Sequence, residues 1–331
     1  EVQVYKGTLS AADFNNVQTF LENKYNVTQE PVLYTISECV GHWDFTTTTT
    51  NSGAANMSVN RDGTGGSPSS GDYIGKLINQ APGNASEEKL GAFVRSGADD
   101  TTRPIFQTGG VNGRSYGHFD SSQYLRAGYF SSAAATADGG ATSNTFTPLE
   151  LNNFSTTTFL VGEWEGDPPA SAYRYPFYIR GTDLATSGLA RLRLLKQNTN
   201  GTIRGTIYSA SVGSENVYTY YGDDLAGGPG FLTYVCGPGA TGMQMFENGV
   251  LLDTDGDAAF LASKKIYLDA TTTGATYVSL GGAVGSDGIN SNGNSWVGKI
   301  YEIIIYNKVL SDDEINIVND YIAAKYGLSI G

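Results

Sequence analysis

The sequence predicts an antiparallel β-sandwich closed by one helix, and three observations carry that expectation. The chain is poor in charge and rich in glycine: 16% of its 331 residues are Asp, Glu, Lys or Arg, and 43 are Gly. An average globular domain is about a quarter charged and about 7% Gly, so Ser, Thr, Asn and Gly must cover this surface. Short β-rich runs recur between Gly- and Asn-bearing turns. A helical apolar period is clear only near the two ends.

The strands can be read in order. Thr156–Trp164 (TTTFLVGEW), Arg191–Leu195, Thr202–Ser209 and Val217–Tyr221 are β-branched or aromatic runs. Tyr173–Tyr178 alternates, with Tyr173, Tyr175 and Phe177 on one face; Pro176 cannot donate to a ladder, which predicts an edge position. Leu232–Cys236 and Met243–Phe246 form a hairpin, and Asn248-Gly249 makes a tight turn into Val250–Leu252. Tyr277–Leu280 and Lys299–Tyr306 complete the set. The polar stretches Thr46–Gly71, Ser131–Ser143 and Gly282–Ser295 read as loops that decorate the sandwich.

The two ends resemble each other. Glu1–Val27 and Glu302–Leu328 align without gaps, with identities Glu1/Glu302, Tyr5/Tyr306, Leu9/Leu310, Ser10/Ser311, Asn15/Asn316, Val17/Val318, Lys24/Lys325 and Tyr25/Tyr326. In each, a strand leads to a serine N-cap with an acidic residue three positions on; Ser311 with Glu314 fits a capping box. Phe14, Val17 and Leu21, or Ile315, Val318 and Ile322, then repeat at helical spacing, and Gly327 supplies a stop. The expected organisation is residues 1–29 as the closing strand and helix of a preceding tandem repeat, or a linker, followed by one concanavalin A-like jelly-roll domain over 30–331. The alternative is that Glu1–Val27 completes a neighbouring subunit's sheet.

Composition also excludes function classes. The net charge is −13, with no basic run, so nucleic acid is not an expected partner. The densest apolar stretch, Ile303-Ile304-Ile305, is far short of the roughly 20 residues of a membrane helix, and no membrane insertion is expected. The acidic charge falls mostly on loops and helix starts, which suits an exposed surface.

Several residue groups invite chemistry. Glu163 and Glu165 share one face of a strand, and paired carboxylates about 5–5.5 Å apart suit retaining glycoside hydrolysis; the bland alternative is a strand running out into Gly166-Asp167-Pro168. His42 and His118 have no Gly-x-Ser-x-Gly elbow to make a triad, and His118 reads as a strand residue. Asp253, Asp255 and Asp257 place three carboxylates in a short turn, and Asp287, Asn290, Asn292 and Asn294 form a second oxygen-rich set; either could take Ca²⁺, although no cofactor is required. Tyr218, Tyr220 and Tyr221 with Asp223 and Asp224 pair stacking faces with acceptors, as sugar binding requires, or are simply core on one side. Cys39 and Cys236 are the only cysteines, open to a single disulfide or to two buried thiols. The five N-x-Ser/Thr sequons, at Asn26, Asn56, Asn84, Asn153 and Asn200, are about the number chance supplies in so Asn- and Thr-rich a chain.

Four segments resemble the laminin-G-like, concanavalin A-like jelly rolls of phage fibres, capsid decorations and bacterial adhesins. They are Thr102-Arg103-Pro104 with Val111-Asn112-Gly113 and Phe119–Leu125; the Asn248-Gly249-Val250-Leu251 hairpin; Leu280-Gly281-Gly282; and Gly298–Leu328. Ser121-Ser122 departs from the family's glycine there, and the domain is about 100 residues longer than compact members. The resemblance implies a two-sheet jelly roll and no particular activity. The leading expectation is a non-enzymatic virion surface module, structural and adhesive, whose partners are further copies of itself, other virion proteins and cell-surface glycans. A secreted bacterial adhesin and a glycoside hydrolase are the alternatives.

Overall fold

The computed structural model describes residues 17, 32–50, 54–60, 64–82, 92–94, 103–120, 123–129, 149–151, 155–165, 173–183, 188–197, 203–209, 216–221, 228–237, 243–255, 266–268, 276–282 and 296–331. The proposed repeat segment 1–29 therefore lies outside the described residues, apart from Val17. Strands follow in the order β1 (Cys39–Asp44), β2 (Met57–Ser58), β3 (Lys76–Leu77), β4 (Ala92–Val94), β5 (Ile105–Gln107), β6 (Tyr116–Phe119), β7 (Leu125–Tyr129), β8 (Leu149–Leu151), β9 (Thr156–Trp164) and β10 (Tyr173–Asp183). They continue with β11 (Gly188–Gln197), β12 (Ile203–Ser209), β13 (Asn216–Tyr221), β14 (Gly230–Cys236), β15 (Met243–Glu247), β16 (Val250–Asp255), β17 (Ile266–Leu268), β18 (Thr276–Leu280) and β19 (Gly298–Tyr306), then helix α1 (Asp312–Tyr326).

Every strand pairing among the described residues is antiparallel, in two sheets. The first runs β16-β15-β14-β9-β19-β6-β5, with β1 also paired to β19. The second runs β13-β12-β11-β10-β18-β7-β4-β3-β2, with β17 and β8 attached through β10. The chain is thus mainly β, a jelly-roll-like sandwich, as its turn and strand pattern predicts.

Period-two alternation explains the layers. On β14, Leu232, Tyr234 and Cys236 enter the core between the sheets, while Phe231 and Val235 face the other way. The inter-sheet core joins Trp43, Phe119, Leu160 and Ile303 of the first sheet to Leu77, Leu125, Phe177 and Leu280 of the second. A second apolar layer lies on the outer face of the first sheet. There Phe159, Val161, Ile304 and Tyr306 pack beneath Ile315, Val318, Ile322 and Tyr326 of α1 and Leu33 of the 3-10 turn Val32–Tyr34.

Local chemistry fixes the ends of these elements. The Ser311 side chain accepts from the Glu314 amide while Glu314 reaches back to Ser311, the full capping box. Gly327 ends α1 in the left-handed region, at φ 67°. Asn248 and Gly249, both at positive φ (47° and 84°), form the tight turn their sequence signals. Gly281 has φ 77°, and a Cβ there would run into the Phe119 ring, so the Leu280-Gly281-Gly282 segment carries glycine for packing as well as for its turn.

One placement differs from expectation. The strand carrying Pro176 is not at an edge: β10 lies inside the second sheet, between β11 and β18. Its register against β11 steps from Arg174↔Lys196 to Phe177↔Leu194, one extra residue on β10, and Pro176 falls in that bulge. The missing N–H costs nothing there because a bulge leaves a residue out of the ladder. The same bulge breaks the simple alternation of Tyr175 with Phe177: Phe177 joins the inter-sheet core, whereas the Tyr175 ring meets Tyr178 at 5.6 Å.

Candidate functional site

Two polar groups occupy the outer face of the first sheet, one buried under α1 and one partly exposed beside it. The buried group centres on Glu302. β19 has a register shift between Ile300 and Glu302 where it meets β9, so Tyr301 and Glu302, although adjacent, are both buried on the helix side of the sheet. The Glu302 Oε1 atom accepts from His42 Nε2 (2.6 Å) and the Tyr321 hydroxyl (2.9 Å); Oε2 accepts from Lys325 Nζ (3.0 Å) and the Tyr326 hydroxyl (2.8 Å). Four donors match the four lone-pair directions of a carboxylate. Lys325 Nζ also reaches Asp44 Oδ2 at 2.8 Å and the Tyr321 oxygen at 3.0 Å. Because Glu302 only accepts, it fixes a proton on His42 Nε2, and the Tyr34 hydroxyl closes Nδ1 at 2.7 Å.

Glu302, His42 and Asp44 are all buried. Burial alone pushes the Glu302 carboxyl up, but the Lys325 charge and the His42 and Tyr326 hydrogen bonds outweigh it and hold the group well below the usual carboxylate range. Lys325 is likewise drawn down by burial, and the charges of Glu302 and Asp44 more than reverse that. The ligating atoms of His42, Asp44 and Glu302 lie within 4.8 Å of one another, a spacing that could hold a metal ion. Here the cation among the carboxylates is the ammonium of Lys325, so this cluster works as an internal clamp between β1, β19 and α1.

The partly exposed group contains both carboxylates singled out from the sequence. Lys299 lies directly between Glu163 of β9 and His118 of β6 in the cross-strand register. Its Nζ contacts Glu163 Oε2 at 3.0 Å and Glu165 Oε1 at 3.1 Å, and His118 Nε2 meets Glu165 Oε2 at 2.9 Å. The ammonium also lies 5.3 Å from the centre of the Tyr116 ring. Burial pushes Glu165 up, yet His118 and Lys299 together bring it below its ordinary value. For Lys299 the two glutamates overcome burial and raise the ammonium. Tyr301 connects the two groups: its ring packs on Tyr116 and on Tyr326, and its hydroxyl accepts from the Val111 amide.

The Val111-Asn112-Gly113 turn has a structural task, since Asn112 Nδ2 and Arg114 Nε both donate to the Lys325 carbonyl at 3.2 Å and close the end of α1. Arg103 similarly donates to the Val59 carbonyl and lies over the Tyr73 ring. The sequon residue Asn56 is buried, its amide tied to the carbonyls of Asp44 and Thr47.

The other candidates stand as follows. Cys39 and Cys236 are both buried free thiols and make no disulfide. Alternation puts Cys236 in the inter-sheet core and Cys39 in the helix-side layer, so they lie on opposite faces of the first sheet. Tyr218, Tyr220 and Tyr221 fall on β13, the terminal strand of the second sheet, in register with Thr206, Arg204 and Ile203; Asp223 and Asp224 lie outside the described residues. Asp253 and Asp255 sit in strand β16, opposite Met245 and Met243, rather than in a turn. Asp257 and the Asp287, Asn290, Asn292, Asn294 set lie outside the described residues.

No protein-family model and no curated protein matches the chain. Among solved structures it is similar to the CBM40 domain of the Ruminococcus gnavus IT-sialidase, at 17% identity and TM-score 0.37, over 50% of this chain and 82% of that one. Domain 4 of AbnA, a GH43 extracellular arabinanase from Geobacillus stearothermophilus solved with arabinotriose, matches at 12% identity and TM-score 0.43, over 85% and 98%. The heptameric SAP-like pentraxin of Limulus polyphemus matches at 14% identity and TM-score 0.37, over 60% and 78%. TM-scores below 0.5 identify no family, and the fold assignment rests on the sheets themselves.

Proposed function

We propose that the chain is a non-enzymatic module displayed on a virion or cell surface, where it holds hydroxyl-rich glycans on the outer face of its first sheet. The observation that carries this reading is the row Glu163–Lys299–His118 across three strands, flanked by Glu165 and Tyr116 and partly open to solvent. Carboxylate oxygens, an ammonium and an imidazole offer sugar hydroxyls both acceptors and donors, and the tyrosine offers a flat face for C–H groups. Glu163, Lys299, His118 and Tyr116 are mounted on strands and Glu165 directly follows β9, which holds them in place before a ligand arrives.

The same geometry works against hydrolysis. A glycosidase needs one carboxyl kept protonated near neutral pH, and therefore raised in pKa. At Glu165 the shift runs the other way, because His118 and Lys299 favour the charged form. The low-charge, Gly- and Thr-rich composition fits exposure outside a cell, and repeated display would let weak sites gain avidity.

The test is a glycan array probed with the full chain and with Tyr116→Ala. Binding of a subset of glycans by the parent, weakened at least tenfold in the variant, is expected. Absence of binding to every glycan, or an unchanged variant profile, would overturn the assignment.

A further inference from the structure

The similarity between the two ends of the chain gains a physical meaning once the roles of the C-terminal residues are known. Glu302, Lys325 and Tyr326 belong to the buried clamp; Tyr306 donates its hydroxyl to the Leu33 carbonyl; Leu310 and Val318 are in the helix-side core; Ser311 caps α1. At the offset 302 − 1 = 301, the residues facing them are Glu1, Lys24, Tyr25, Tyr5, Leu9, Val17 and Ser10, identical at every one of these positions.

Other positions that pack keep their character. Ile303, Ile305, Ile315 and Ile322 face Val2, Val4, Phe14 and Leu21, while Tyr321 faces Phe20, which keeps the ring but lacks the hydroxyl that donates to Glu302. The left-handed Gly327 faces Asn26, the residue after glycine best suited to positive φ. Exposed positions drift instead: Asp312, Asp313, Ile317, Asp320 and Ala324 face Ala11, Ala12, Asn16, Thr19 and Asn23, with exposed Asn316 an identity that packing does not explain. Ile304 is the buried apolar position that is lost, to Gln3.

An amphipathic helix on its own has no use for a glutamate at the head of an apolar strand and a lysine 23 positions later. The pair is useful where both are buried together, since either alone would be a costly uncompensated charge. We infer that Glu1–Val27 is a second closing strand-and-helix unit, built to seat on another jelly-roll sheet of this same design. Its partner is a domain whose first strand carries a histidine and an aspartate two residues apart, as His42 and Asp44 do on β1. Glu1, Lys24 and Tyr25 complete the clamp of that domain.

A graft in the full chain tests this. Residues 302–328 are replaced, position for position, by the sequence of residues 1–27, in one version as it stands and in a second with isoleucine kept at position 304. At least one graft should unfold in a single cooperative transition, and Lys325→Met should lower its midpoint about as much as it does in the parent. A control graft of an unrelated amphipathic strand–helix segment should not fold. The inference is overturned if neither graft folds cooperatively, if Lys325→Met leaves the folded graft's midpoint unchanged, or if the control folds equally well.

Discussion

The Glu302 carboxylate and the Lys325 ammonium meet at 3.0 Å beneath the only α-helix among the described residues that packs on the sandwich, with the glutamate side chain wholly excluded from water. One comes from β19, an interior strand of the first sheet, and the other from the last turn of α1. Their contact therefore ties the final secondary-structure element to the sheet that carries Glu163 and Lys299.

Removing one partner should cost more than removing both. Lys325→Met leaves Glu302 buried without its cation and should lower stability by about 3–5 kcal/mol, as for other broken buried pairs. Glu302→Gln combined with Lys325→Met should recover part of that loss. Urea titrations of the single and double variants, read as a double-mutant cycle, check both statements.

The clamp also predicts acid sensitivity. The Glu302 carboxyl is held well below the ordinary glutamate value of about 4.3, so the unfolded chain takes up its proton first. Its contribution is complete above that value and declines as pH falls toward the folded-state pKa. Lys325 is shifted up, so its share is complete below an ordinary lysine pKa of about 10.4 and declines as pH rises beyond it. Thermal midpoints measured from pH 2 to pH 7 should fall on acidification, with a shallower slope in Glu302→Gln.

The partly exposed cluster should matter little to folding. Lys299 and its two glutamates are ion pairs within reach of solvent, and such pairs contribute at most about 1 kcal/mol. Lys299→Met should shift the urea midpoint only slightly while weakening glycan binding, a separation that differs from the behaviour of Lys325→Met.

Both thiols should resist reagents in the native protein. Burial pushes Cys39 up to about 12 and Cys236 well above its usual range, leaving little thiolate near neutral pH. Ellman's reagent should titrate both only after denaturation, and reductant should leave the thermal midpoint unchanged because no disulfide exists to break.

What the sequence discloses is what depends on neighbours along the chain. The capping box at Ser311 and Glu314, the left-handed Gly327 and the Asn248-Gly249 turn are set by contacts a few residues long, and each is legible from spacing. The Pro176 bulge is not, because its ladder partners come from β11 and β18. The clamp joins His42 to Glu302 across 260 positions, and Lys299 reaches Glu163, Glu165 and His118 only through strand register. A signal for the clamp was nonetheless present: a glutamate preceding Ile303-Ile304-Ile305, and a lysine late in the helix, both repeated at Glu1 and Lys24. The carboxylate pair Glu163 and Glu165 was legible because residues two apart on a strand share a face. The lysine that sets its chemistry was not.

Calorimetric titration of oligosaccharides into the full chain, with the same samples assayed for released reducing sugar, tests the central claim most directly. Saturable binding without product is predicted, with affinity reduced at least tenfold when Glu163→Gln and Glu165→Gln are combined. Failure of the parent chain to bind any oligosaccharide, equal binding by the double variant, or turnover that disappears with Glu165→Gln would contradict it.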